Sequence, residues 1–117
     1  MMSPDRTLAW DWHRGRVPDN VIIDETAYIE TTYSFLLFRS HERSAVTYGR
    51  GAATYRGTMF DLGPRGKVRL GRYALLHGAR IICDERVDVG DYCLISWNVL
   101  LMDSYRLPMD VERRRAE

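Results

Sequence analysis

Much of what usually announces a function is missing from this 117-residue chain. No apolar run approaches the roughly 20 residues of a membrane span, so no transmembrane helix is expected. The N-terminus carries no basic segment followed by an apolar core, so no signal peptide is expected. Net charge is almost absent: 17 Lys and Arg face 16 Asp and Glu, giving +1. That balance argues against a basic face for nucleic acid. The single basic cluster, Arg113 to Arg115, reads as a solvated tail. Cysteine is scarce, with only Cys83 and Cys93, and their spacing is not that of a metal site. Such usage suits a reducing compartment, and the chain is expected to be cytoplasmic. The three histidines, His13, His41 and His77, stand in unlike contexts without a shared spacing, so no metal is expected. Low-complexity sequence is also lacking, and the length suits one domain.

What is present is a period. From Leu70 to Arg106 an aliphatic residue recurs at Leu70, Leu76, Ile82, Val89, Ile95 and Leu101. The step is six residues, with one step of seven between Ile82 and Val89. Two positions before most of these stands a second apolar residue: Val68, Ala74, Val87, Cys93 and Val99, with Arg80 the exception. A helix wants apolar residues three and four apart, and a lone strand wants them two apart. A sustained step of six fits a coiled β-solenoid instead. A second copy runs earlier through Val17, Ile23, Ile29 and Phe35. Two separated segments sharing so unusual a period predict one continuous coil.

Residues 1–16 lack the period and read as an arm or short helix. Trp10 and Trp12 are expected to cover an end or flank of the solenoid. Residues 17–106 form the solenoid. Within it, Leu36 to Arg50 blurs the pattern: Leu36-Leu37-Phe38 reads as a strand that leads into a polar excursion containing His41. Thr58 to Leu62 reads as a strand closed by a turn at Gly63-Pro64-Arg65-Gly66. Residues 107–117 read as a charged cap or tail. A solenoid needs its last coil covered, either by this segment or by further chain. Three sides of six residues would make a coil of about 18, hence about five coils rising about 24 Å at the interstrand spacing. The recurring residues would point inward, and Cys93 would be a small buried thiol.

The segment Val89-Gly90-Asp91-Tyr92-Cys93-Leu94-Ile95-Ser96-Trp97-Asn98-Val99 resembles a motif of the hexapeptide-repeat acyltransferases. Among them it is most similar to the maltose and galactoside O-acetyltransferase branch, with its Ile-Gly-Asp-Asn-x-Leu-Ile-(small)-Pro-Asn-Val. The resemblance implies an all-β, left-handed parallel β-helix, a homotrimer with sites between subunits, and an acetyl-CoA or other acyl-CoA co-substrate. The acceptor it implies is a sugar or polysaccharide-precursor hydroxyl. The γ-class carbonic anhydrases share the fold, but their zinc-binding histidine spacing is absent here.

In that family a histidine deprotonates the acceptor. Aligning the segment after Asn98-Val99 puts Arg106 at the histidine's place, and an arginine stays protonated. Arg106 is then expected to hold a phosphate or carboxylate of a ligand, or to pair with Asp103 or Asp110. His77 falls near the family's active-site Asn-Phe-Asn stretch and becomes the candidate base, with Asp103 as its orienting or acceptor-binding partner. Trp97, Asn98 and His41 complete the candidate substrate site. Trp97 faces away from the core and suits a subunit interface, an adenine or an acyl chain, while Asn98 suits a corner. Tyr92 and Tyr105 offer similar surfaces, and His13 suits the acceptor site or the arm's own packing. The second reading is a trimeric scaffold or binding module that has lost its base.

Overall fold

The computed structural model of the protein describes residues 2–104, Arg106 and Arg115. The expected cap at 107–117, Arg115 aside, and the site role of Tyr105 lie outside the described residues. Among residues 2–104, eleven short strands and one 3₁₀ turn follow in order. They are β1 (Val21–Ile23), β2 (Tyr28–Ile29), η1 (Thr32–Phe35), β3 (Val46–Tyr48), β4 (Ala53–Tyr55) and β5 (Met59–Leu62). Then come β6 (Lys67–Leu70), β7 (Leu75–His77), β8 (Arg80–Cys83), β9 (Arg86–Val89), β10 (Leu94–Ile95) and β11 (Leu100–Met102). All the strand pairs are parallel, in three sheets ordered β1-β3-β6-β9, β2-β4-β7-β10 and β5-β8-β11. Each sheet is one side of a prism, and the chain visits the sides in turn. The result is a parallel β-solenoid.

The solenoid has about four coils rather than five. The reason lies in the corners. Val21, Val46, Val68 and Val87 stand one above another, so successive coils take 25, 22 and 19 residues. Only the last approaches the ideal 18. The excess sits in the excursion that carries His41 and in the Gly63–Gly66 turn, where the Gly66 N–H donates to the Gly63 carbonyl at 3.0 Å.

The core is a set of vertical columns. Ile23, Tyr48, Leu70 and Val89 form one, and Ile29, Thr54, Leu76 and Ile95 another. On the third side Phe60, Ile81 and Leu101 are stacked. Phe35 of η1 lies parallel on Phe60, centroids 5.4 Å apart. Two hydroxyls are buried among these side chains, and they satisfy each other: Tyr48 Oη and Thr54 Oγ1 are 2.6 Å apart. Burial pushes the Tyr48 phenol well above its ordinary pKa.

Two details differ from the sequence pattern. Ile82 does not point inward; Ile81 and Cys83 on either side of it are fully buried. The corner Gly78-Ala79 is one residue tighter than its neighbours, and a slip of one residue exchanges the two faces of a strand. Leu36 to Phe38 is not a strand, and Phe38 makes only an isolated bridge to Leu62. The Thr31 hydroxyl accepts the Tyr33 N–H and caps η1 just before it, and the Leu36 and Phe38 N–H groups turn back onto the Tyr33 and Phe35 carbonyls at 3.1 Å each.

Corners repeat at fixed positions. Two residues before β4, β7 and β10 stand Gly51, Tyr73 and Tyr92, all with positive φ. Two before β5, β8 and β11 stand Gly57, Gly78 and Asn98, again left-handed. Asparagine is among the residues that tolerate this region, which accounts for Asn98.

Residues 2–16 form no helix. They lie across the open end of the first coil, with Leu8 buried and bridged to Met2. Arg6 donates to the carbonyls of Val17, Pro18 and Val21 at 3.1, 2.8 and 2.7 Å. The Trp10 indole N–H donates to the Ile29 carbonyl at 3.1 Å. Asp11 is buried and accepts from the Thr31 hydroxyl at 2.7 Å, from the Thr32 N–H at 3.1 Å and from the Thr32 hydroxyl. Burial alone would raise the Asp11 carboxyl; the threonine donors outweigh it and hold it below the usual carboxylate range. No helix among the described residues is long and apolar enough to cross a membrane.

Candidate functional site

The candidate residues divide between two edges of the prism. His77, Trp97 and Asn98 occupy the edge between the second and third sheets. Asp103, Arg106 and His41 occupy the edge between the third sheet and the first. The length of β8 separates them, so His77 and Asp103 do not form an acid–base pair.

On the first edge, His77 ends β7 and points outward, half-buried, in register with Tyr55 one coil below. Five rings follow one another up this flank. Trp10 stacks on Tyr28 at 5.6 Å, Tyr28 meets Tyr55 at 5.4 Å, and Tyr55 meets His77 at 5.6 Å. Trp97 closes the row 4.8 Å from His77. Trp97 also lies flat over two corner glycines. A Cβ on Gly78 would come within 2.1 Å of its ring, and one on Gly57 within 2.5 Å. Both glycines therefore serve two needs, the left-handed corner and the close approach of an indole. Half of Trp97 remains exposed, at 52%. His77 makes no side-chain hydrogen bond among the described residues. Its imidazole is thus held by ring packing and keeps its nitrogens for proton transfer or a ligand.

On the second edge the acidic groups are fully engaged. Asp103 accepts the N–H groups of Asp84, Glu85 and Arg86 at 2.9, 2.7 and 2.8 Å. Burial opposes ionisation of Asp103, but these three donors prevail and lower its pKa. It terminates a corner. Arg106 reaches back over two coils. Its Nε lies 3.0 Å from both Asp84 carboxylate oxygens, while its terminal nitrogens donate to Asp61 Oδ1 and to the Asp61 carbonyl at 2.8 Å each. Asp84 chiefly, and Asp61 with it, raise the Arg106 pKa further. Asp103 is not among these partners, and Asp110 lies outside the described residues. His41 is exposed, and only its backbone N–H is fixed, on the Pro64 carbonyl at 2.9 Å.

Asp61 is the residue that sequence reasoning missed. It is 7% exposed and collects three arginines: Arg39 at 3.2 Å, Arg80 at 3.0 Å and Arg106 at 2.8 Å. Burial would raise its pKa; hydrogen bonds from Arg106 and Arg80 reverse the sign and lower it. The signal for it was Arg80, the one residue that broke the minor apolar rule. The aromatic row was also missed, since Tyr28, Tyr55 and His77 align only once the coil lengths are known. His13 belongs to the arm: its Nδ1 lies 3.3 Å from Thr32 Oγ1, and its ring meets Trp12 and Tyr33.

Another concavity lies elsewhere, at the arm. It is a groove of about 500 Å³ between Trp10 and the corner Ile23–Tyr28. Among the described residues no three His, Cys, Asp or Glu side chains converge to hold a metal. Compared with models of known families, with curated proteins and with solved structures, the chain has no match.

Proposed function

We propose that the chain is an O-acyltransferase that moves an acyl group from an acyl-CoA, acetyl-CoA first, to a sugar or related hydroxyl. On this reading it works as a cytoplasmic homotrimer. One observation carries the reading: a parallel β-solenoid presents the His77 imidazole outward at a glycine-walled corner, between Tyr55 and Trp97. The sequence resemblance around Val89 to Val99 supports it. In this mechanism a His77 ring nitrogen takes the acceptor hydroxyl proton. The oxygen attacks the thioester carbonyl, the C–S bond breaks, and the thiolate leaves and takes up the proton. Trp97 supplies an apolar wall for the acyl chain, and Asn98 shapes the corner. Arg106 and Asp103 then serve the scaffold rather than the substrate.

The test is release of free thiol from acetyl-CoA with a panel of sugar acceptors, comparing the chain with His77→Ala. Loss of a general base lowers the rate by about 10²–10⁴-fold. No release from any acceptor, together with no binding of CoA, rejects the enzyme.

A second reading is a non-catalytic solenoid that binds or scaffolds. It is favoured by the second edge, where Arg106 stands in the histidine's place and is saturated by Asp61 and Asp84. The same experiment separates the two: a scaffold binds its partner with His77→Ala unchanged and releases no thiol.

A further inference from the structure

The groove at the arm has a chemistry of its own, two coils below His77. Its floor is apolar, built from Met2, Leu8, Ile23, Ala27 and Ile29. Trp10 forms one wall, with one face of its indole stacked on Tyr28. Asp24 and Glu25 stand at the mouth. The arm explains why a gap exists here. Its side chains cap the carbonyls of Val17, Pro18, Val21 and Ile29, on both sides of the corner. Between them, from Ile22 to Ala27, no hydrogen bond arrives from the arm among the described residues.

Among the described residues that line the groove, the charges are of one sign and differ in availability. Asp24 is committed to its own turn: it accepts the Thr26 N–H at 2.9 Å and the Thr26 hydroxyl at 2.6 Å, and Arg50 on the next coil offsets part of its charge. Those bonds to Thr26 hold its pKa below the usual range, so it stays ionised at neutral pH. Glu25 is exposed and has no ion pair among the described residues. An apolar floor, a tryptophan ring and two carboxylates select against anions and against purely polar solutes. They suit a positive group on an aliphatic stem, with the stem on the floor and the cation between Glu25 and the indole. The volume is within the range of small-molecule sites.

We propose that this groove binds a small primary alkylamine in its ammonium form. The inference does not depend on acyl transfer or on His77. The experiment follows the Trp10 indole N–H resonance, assigned with Trp10→Phe, during titration with hexylamine, hexan-1-ol and hexanoate near neutral pH. Hexylammonium is expected to saturate the shift, hexanol to bind at least about tenfold more weakly, and hexanoate not to bind. Glu25→Gln, at an exposed position that leaves the fold intact, is expected to weaken hexylammonium binding about fivefold. Equal affinity for hexanol overturns the proposal. So does an unchanged affinity in Glu25→Gln, or a response confined to Trp97.

Discussion

Replacing Asp61 with asparagine tests how the coils are held together on the third side. The change keeps the shape and removes the charge. Three guanidinium groups then lose their common anion, and an amide nitrogen faces at least one of them. The full cost of orphaning a buried charge, about 3–5 kcal/mol, does not apply here. Arg39 and Arg80 are half-exposed, so each contact is screened to the surface scale of about 0–1 kcal/mol. Arg106 is better covered and loses one charge-assisted bond at 2.8 Å, while its bond to the Asp61 carbonyl and its pair with Asp84 survive. That bond contributes about 1.5–3 kcal/mol. These ranges add to about 1.5–5 kcal/mol, centred on about 3 kcal/mol, at neutral pH. In urea this lowers the unfolding midpoint by about 1–2 M.

The sign of the pH dependence follows from the carboxyl's lowered pKa. A group depressed in the folded state stabilises above its unfolded pKa, and the contribution disappears as pH falls through the folded value. The gap between wild type and Asp61→Asn is therefore wide at neutral pH, starts to close below about pH 4, and goes on narrowing as pH falls toward the lowered folded value. Measuring both chains by urea denaturation along this pH series isolates Asp61 from the other carboxylates. A gap that persists undiminished at the acid end refutes the charge argument and leaves shape alone. No gap at neutral pH refutes it equally.

The other predictions concern single sites. Gly78→Ala places a Cβ into the Trp97 ring at a left-handed φ of 81°; it is expected to cost about 1–3 kcal/mol from backbone strain and to displace Trp97, read as a lower Tm and a changed tryptophan emission. The two thiols differ in access. Cys83 is fully buried, and burial pushes its pKa up to about 11, whereas Cys93 is partly exposed; iodoacetamide is expected to label one thiol in the native protein and two in urea, with Cys93 as the native product by mass mapping.

The six-residue step was enough to specify a coiled parallel sheet, because inward side chains of a solenoid must repeat once per side whatever the corners do. The second copy at Val17 to Phe35 carried the same constraint, and each of its residues lies in or against the core. Trp97 outward and Asn98 at a corner were readable too, since alternation along a strand is local. What the sequence left undetermined depends on corner length. One tight corner at Gly78-Ala79 moved Ile82 outside, above Asp61, and put the Arg80 side chain within reach of Asp61, and three unequal coils reduced five turns to four. The same unequal coils decide which distant residues meet: Tyr28 with Tyr55 and His77, and Arg106 with Asp61 forty-five positions away. Period is a property of neighbours along the chain, so the sequence alone could carry it. Vertical alignment is a sum over every corner passed, and only the tertiary structure decided that His77 would stand among rings while Asp103 and Arg106 closed a different edge.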